Sequence, residues 1–73
     1  MSPTVTVHQL SADGGRRVSV RSGGEIHILG IAYSDLDVVE FLRRAGLNEG
    51  QQLLDDPVWV RWNGGRPHEW VAA

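Results

Sequence analysis

The sequence predicts an α+β domain, in which a small antiparallel sheet in β-β-β-α-(α)-β-β order packs one face against one main amphipathic helix. Three observations predict it. Alternating polar and apolar residues recur between glycine-rich turns, a pattern typical of half-buried strands joined as hairpins. One segment of helical periodicity separates two groups of such strands. Cysteine is absent from the 73 residues, so packing must hold the fold without disulfides or thiolate metal sites.

Three strands are predicted before the helix. Residues 4–8 and 17–21 alternate in character on either side of Asp13-Gly14-Gly15, and glycine adopts the positive φ angles of a tight turn without strain. Residues 26–33 follow a second turn at Gly23-Gly24 and are rich in β-branched side chains. These strands are expected to form an antiparallel meander.

Pairing across the turns sorts the strand residues into two faces, because paired residues lie on the same side of a sheet. With Gly23-Gly24 at the turn, Val18 is expected opposite Leu29. The face that receives the helix is predicted to carry Val5, Val7, Val18, Val20, Leu29, Ile31 and Tyr33. The helix-free face is predicted to carry Thr4, Thr6, His8, Arg17, Ser19, Arg21, Ile26 and Ile28.

The main helix is predicted over residues 34–47. Ser34 is a good N-cap, because its hydroxyl can accept from the first free amide groups, and Gly46 is a natural C-terminal stop. Glu40 and Arg44 have the i,i+4 spacing of a weak ion pair. A shorter helix is predicted over residues 48–56, ending before Pro57. The apolar side of the main helix is predicted to consist of Leu36, Val38, Val39, Phe41, Leu42 and Ala45.

A closing hairpin is predicted from residues 58–62 and 66–71, with its tip at Gly64-Gly65. Pro67 cannot donate to a ladder, which favours an edge position for the last strand. The pairing sets Trp59 opposite Trp70 and Arg61 opposite His68 on one face. If both hairpins join one sheet, this face continues the helix-free face of the first three strands.

The helix-free face is the candidate binding surface, because Trp and Arg are the residues most enriched at binding hot spots. The predicted function is a small non-enzymatic protein-interaction module of regulatory or accessory type, which self-associates, for example as a homodimer. The alternative for the tryptophans is a cross-strand pair that only stiffens a hairpin. The predicted binding residues are Trp59, Arg61, His68, Trp70, Arg17 and Arg21.

Two other functional classes stay open. A nucleic-acid-binding module could use the same arginines on phosphates and the same tryptophans on unpaired bases, although the net charge is −2 and no basic run is present. A small enzyme with an unrecognised site is the other alternative. Ser34 and Asp35 could be catalytic residues, but their positions are explained by the capping of the main helix. The position of Asp55 is explained by the end of the second helix. No cofactor or metal is predicted, because the three histidines lack ligand-type spacing.

Residues 1–73 are expected to form one domain, which at this size usually needs good packing or self-association for stability. The N-terminus lacks the pattern of a secretory signal, and no apolar run has the length of a membrane span. A cytoplasmic protein without a membrane partner is therefore expected. All seven basic residues are arginine, a composition typical of a bacterium with a high-GC genome.

Overall fold

The computed structural model of the protein describes residues 4–70 and has a mixed α+β fold, in agreement with the predicted class. Four strands form one sheet, and two helices follow the third strand. The elements are β1 (Thr4–Leu10), β2 (Arg16–Ser22), β3 (Glu25–Ala32), α1 (Asp35–Arg44), α2 (Gly50–Leu53) and β4 (Val60–Trp62).

The sheet order is β3-β2-β1-β4, and β4 runs parallel to β1, so the prediction of a purely antiparallel sheet is wrong. The helices act as a crossover from β3 to β4, and a helical crossover normally joins strands of the same direction. The predicted closing hairpin is also wrong, because residues 63–70 contain no strand. Val71, its last predicted residue, lies outside the described part of the chain.

A bulge in β3 changes which of its residues face the core. Val18 pairs with Gly30 and not with the predicted Leu29, because the β2–β3 register shifts after this pair. Gly30 has a φ of 150°, and a Cβ atom there would lie 2.8 Å from Cζ of Phe41. The absence of a side chain at Gly30 therefore lets the Phe41 ring approach the strand backbone. At the same place the bulge adds one extra residue to β3.

The extra residue moves two predicted core residues to the other face. Ile31 is 53% exposed and pairs with Arg17, while Ala32 pairs with Arg16 and is fully buried. Tyr33 is 54% exposed, because it follows Ile31 by two residues and keeps the same side. The prediction of Ile31 and Tyr33 as core residues is wrong for this reason.

The predicted capping residue Ser34 and the predicted stop at Gly46 are both present at the ends of the main helix. The hydroxyl of Ser34 accepts from the backbone N–H of Asp37 at 3.3 Å. At the other end the N–H of Leu47 donates to Leu42 at 2.8 Å, and Gly46 adopts a φ of 91°. This is a Schellman motif. Its geometry ends α1 at Arg44, short of the predicted residue 47.

The core lies between one face of the sheet and the two helices. Leu36 was predicted to join it but is 75% exposed, because 3.6 residues per turn place it about 160° around the helix from Val38. The opposite face of the sheet has no helix over it. No helix within residues 4–70 has the length and apolar character needed to cross a membrane. The buried core consists of Val5, Val7, Val18, Val20, Ala32, Val38, Leu42, Leu54 and Val60.

Candidate functional site

The helix-free face of the sheet is built from four rows of side chains, one row from each strand. The ladders set Arg21 beside Ile26 and Ser19 beside Ile28. They also set Thr6 between Ser19 and Arg61. A groove of about 410 Å³ runs across this surface. Its lining contains all the residues predicted for the helix-free face, namely Thr4, Thr6, His8, Arg17, Ser19, Arg21, Ile26 and Ile28, together with Arg61 and Asn63.

Three arginines give this groove a cationic character. Arg17, Arg21 and Arg61 are all exposed, and within residues 4–70 none of them forms a salt bridge. No aspartate or glutamate lines the groove. Three guanidinium groups without compensating carboxylates create a local positive potential on a chain whose formal net charge is −2.

The floor of the groove is polar and partly buried. Ser19 is buried, and its hydroxyl lies 2.8 Å from Nε2 of His8. Thr4 and Thr6 are half-buried neighbours on β1. These hydroxyl groups can donate or accept hydrogen bonds, so the floor can accommodate either a carboxylate oxygen or a backbone amide.

The third element of the face is an apolar row along β3. Ile26, Ile28 and Ile31 are 68%, 65% and 53% exposed. The bulge at Gly30 adds Ile31 to this row, since without it the residue would face the core. A row of exposed isoleucines next to arginines, on so small a domain, is typical of a surface that contacts a partner.

The other three predicted binding residues do not lie on this face. Trp59 precedes β4 and lines a separate depression with Leu47 and Leu53. Trp70 packs edge-on against Trp62, with ring centroids 5.9 Å apart, and its Nε1–H donates to Asp35 at 2.8 Å. The predicted opposition of Trp59 and Trp70 is therefore wrong, because the hairpin that would create it is absent from residues 4–70.

His68 also lies away from the groove, so its predicted pairing with Arg61 is wrong. Its Nε2 lies 2.6 Å from Asp55 and its Nδ1 lies 2.7 Å from Asp35. The hydrogen bond to Asp55 and then the one to Asp35 raise the pKa of His68 above its usual 6.5. The backbone of His68 has a φ of 64°, which is uncommon outside glycine, and in this conformation its ring contacts both carboxylates.

Arg16 attaches the last described segment to the sheet, and sequence reasoning missed this role. The residue is fully buried, and its guanidinium lies 5.2 Å and 5.9 Å from the ring centroids of Trp62 and Trp70. Burial lowers the pKa of Arg16, while the charge of Glu69 opposes that effect. The guanidinium donates to the carbonyl oxygens of His8 (2.8 Å), Arg66 (2.9 Å), Asn63 (3.0 Å) and Glu69 (3.1 Å).

The alternation of side chains along β2 could have identified Arg16 as a core residue, because it lies on the same face as Val18 and Val20. Its partners could not be found in the same way, since they come from a segment without regular structure.

Within residues 4–70, no group of three or more histidine, aspartate or glutamate side chains is arranged to hold a metal ion. No protein-family model, curated protein or solved structure matches the chain.

Proposed function

We propose that this protein is a protein-interaction module that binds an acidic segment of a partner protein on the helix-free face of its sheet. One observation supports this proposal above the others: Arg17, Arg21 and Arg61 share a groove whose lining contains no carboxylate. Guanidinium groups bind carboxylates through paired, charge-assisted hydrogen bonds. The partner's carboxylates would supply the counter-charges for these three arginines.

The exposed isoleucines indicate that the partner segment contains apolar residues as well as acidic ones. Ile26 lies beside Arg21, and Ile28 lies beside Ser19. A purely anionic ligand would leave both isoleucines in water, whereas a segment that mixes apolar and acidic side chains would cover them. Covering an isoleucine fully contributes up to about 2 kcal/mol. We therefore expect the partner segment to carry both acidic and apolar residues on the side that faces the groove, which in an extended strand means at every second position.

Charge distribution favours one orientation of the complex. Helix α1 carries Asp35 and Asp37 in its first turn, whereas its Glu40 is paired with Arg43 and Arg44. The concentrated positive charge therefore lies in the groove, which attracts an acidic partner and raises the rate of productive encounters. The three groove arginines argue against a symmetric dimer through this face, because a two-fold axis would bring six guanidinium groups together.

A nucleic acid is the competing ligand for the same arginines. Base stacking would need exposed aromatic rings beside the cations, but the tryptophans lie elsewhere: Trp62 and Trp70 pack around Arg16, and Trp59 faces Leu47. Tyr33 stands at the margin of the face, where its hydroxyl is 3.4 Å from the carboxylate of Asp13. These surroundings favour a protein ligand.

A synthetic peptide that carries glutamate and valine in turn at every second position, so that both lie on one side of an extended strand, tests the proposal, with calorimetry or fluorescence anisotropy as the readout. We expect the peptide to bind, and a lysine-valine peptide of the same length to show no binding. The double variant Arg17→Gln/Arg21→Gln should weaken binding about tenfold or more, since each charged hydrogen bond contributes on the order of 1 kcal/mol. The charge-matched control Arg43→Gln/Arg44→Gln, on α1, should bind as the wild type does.

Two outcomes would contradict the proposal. Equal binding of the glutamate and lysine peptides would show that the arginines do not select the ligand. A single-stranded oligonucleotide that binds more tightly than the peptide, with an affinity that falls steeply with salt, would assign the groove to nucleic acid instead.

A further inference from the structure

Strand β3 leaves one whole side of its backbone without a partner. In the part of the chain that the structure describes, it stands at the end of the sheet, with β2 as its one neighbouring strand. Within residues 4–70, the backbone groups of residues 25–31 form no hydrogen bond with any backbone group outside the sheet ladder. Such an edge presents a row of donors and acceptors on which another strand can pair.

This edge lacks most of the features that normally prevent such pairing. Protected edge strands are short or carry proline or inward-pointing charges, whereas β3 has eight residues, Glu25–Ala32, and contains neither proline nor lysine. The opposite edge, β4, has only three residues, with Arg61 at their centre. The bulge, in which Leu29 has no partner between the paired residues Ile28 and Gly30, is a protective irregularity in β3, and it leaves residues 25–28 as a regular run.

We propose that two copies of this chain pair through residues 26–28 of β3, antiparallel about a two-fold axis at His27. In this register Ile26 of each copy lies opposite Ile28 of the other. Four exposed isoleucines then become two cross-strand pairs on the helix-free face. The four-stranded sheet becomes a continuous sheet of eight strands.

Sequence and geometry select this register over its neighbours. An axis at Ile28 would set Ile26 opposite the bulged Gly30, where the strand is no longer regular. An axis at Ile26 would extend the pairing into the turn at Gly23-Gly24. With the axis at His27, both Ile26–Ile28 pairs fall within the regular run of residues 25–28, and the two Glu25 carboxylates do not face each other.

The helices do not obstruct this contact. Phe41 of α1 packs against Gly30, beyond the regular run and three residues from the proposed axis. A strand advances about 3.4 Å per residue, so the two Gly30 residues would lie roughly 20 Å apart along the paired strands. The pairing uses the backbone edge of β3 and not the arginines on β2 and β4, but it shares Ile26 and Ile28 with the acidic-partner proposal, and the cross-linking below tests it without any partner peptide.

Cysteine cross-linking tests the register directly, because the natural chain contains no cysteine. Directly opposed residues of antiparallel strands have Cα atoms about 4.5–5.5 Å apart, which is within the range of a disulfide. The side chain of His27 is 59% exposed, so His27→Cys should keep the fold. We expect mild oxidation to convert this variant to a covalent dimer, whereas the control Arg21→Cys, one strand further from the axis, stays monomeric.

Light scattering over a dilution series provides a second, independent measurement. Wild type should dimerise with rising concentration, and Ile28→Lys should weaken the association about tenfold with an unchanged circular dichroism spectrum. Ile31→Lys, on the same face but beyond the bulge, should dimerise normally. A wild type that stays monomeric at millimolar concentration, faster cross-linking of Arg21→Cys than of His27→Cys, or equal effects of the two lysine substitutions would overturn the proposal.

Discussion

Nδ1 of His68 lies 2.7 Å from Oδ2 of Asp35, so a residue near the end of the described chain contacts the first turn of α1. The other ring nitrogen lies 2.6 Å from Asp55, which follows α2. A neutral imidazole donates from only one nitrogen, and a carboxylate can only accept. Both contacts are therefore hydrogen bonds only when the ring is protonated.

This geometry predicts that the protein loses stability as the pH rises above neutral. The hydrogen bonds to Asp55 and Asp35 raise the pKa of His68 in the folded state above its usual 6.5. The stabilisation is fully present below pH 6.5 and is lost as the pH rises through the folded-state pKa. The ring and Asp35 are each more than a third exposed, so solvent screening limits the effect to about 0.5–1 kcal/mol.

Urea unfolding at several pH values measures this effect. In the variant His68→Asn the free energy of unfolding should change less between pH 6 and pH 9 than in the wild type. His27→Asn is the matched control, since within residues 4–70 the one ion pair of His27 is with Glu25 on the exposed edge strand, and it should retain the wild-type dependence. An unchanged pH profile in His68→Asn would contradict the assignment.

A second prediction concerns two consecutive arginines on opposite faces of β2. Arg16 is fully buried with four hydrogen bonds to carbonyl oxygens, whereas Arg17 is exposed in the groove. Arg16→Ala should lower the free energy of unfolding by about 3–5 kcal/mol, because it leaves buried carbonyl groups without donors. Arg17→Ala should change it by less than about 0.5 kcal/mol. Similar losses in the two variants would contradict the role of Arg16.

A third prediction concerns the bulge in β3. Gly30→Ala places a Cβ atom 2.8 Å from the Phe41 ring at a φ of 150°, and we expect it to destabilise the fold by about 2–3 kcal/mol. Gly24→Ala is the control, because its φ is also positive but its Cβ would have no neighbour within 4 Å. It should cost about 1 kcal/mol. Thermal unfolding monitored by circular dichroism compares the two, and equal costs would mean that the Phe41 contact is unimportant.

A fourth prediction concerns the start of α1. Ser34→Ala removes the hydroxyl that accepts from the N–H of Asp37, and it should lower the free energy of unfolding by about 1 kcal/mol. Ser34→Asp should restore most of this loss, because a carboxylate caps a helix start equally well. Chemical denaturation of the three proteins tests the cap, and the failure of aspartate to rescue the alanine variant would show that Ser34 acts in another way.

Local patterns in the sequence determined the strands β1 to β3, the start of α1 and its stop near Gly46, and the faces of these strands as far as the bulge in β3. Alternation, turn glycines and capping residues specify these features within a few neighbouring residues. Parity alone identified the side of the sheet on which Arg17 and Arg21 lie, whereas Arg61 was predicted there only on the condition that a closing hairpin joined the sheet. The same rule would have placed Arg16 in the core, beside Val18.

Tertiary structure decided the rest, because the decisive contacts join residues far apart in the chain. The bulge that turns Ile31 outward lies next to Gly30, where Phe41 of α1 packs against the strand. The position of Trp70 depends on Arg16 and Asp35, whose partners come from the irregular segment after β4. Periodicity describes neighbours along a strand, whereas these contacts are determined by which surfaces meet once the helices have crossed the sheet.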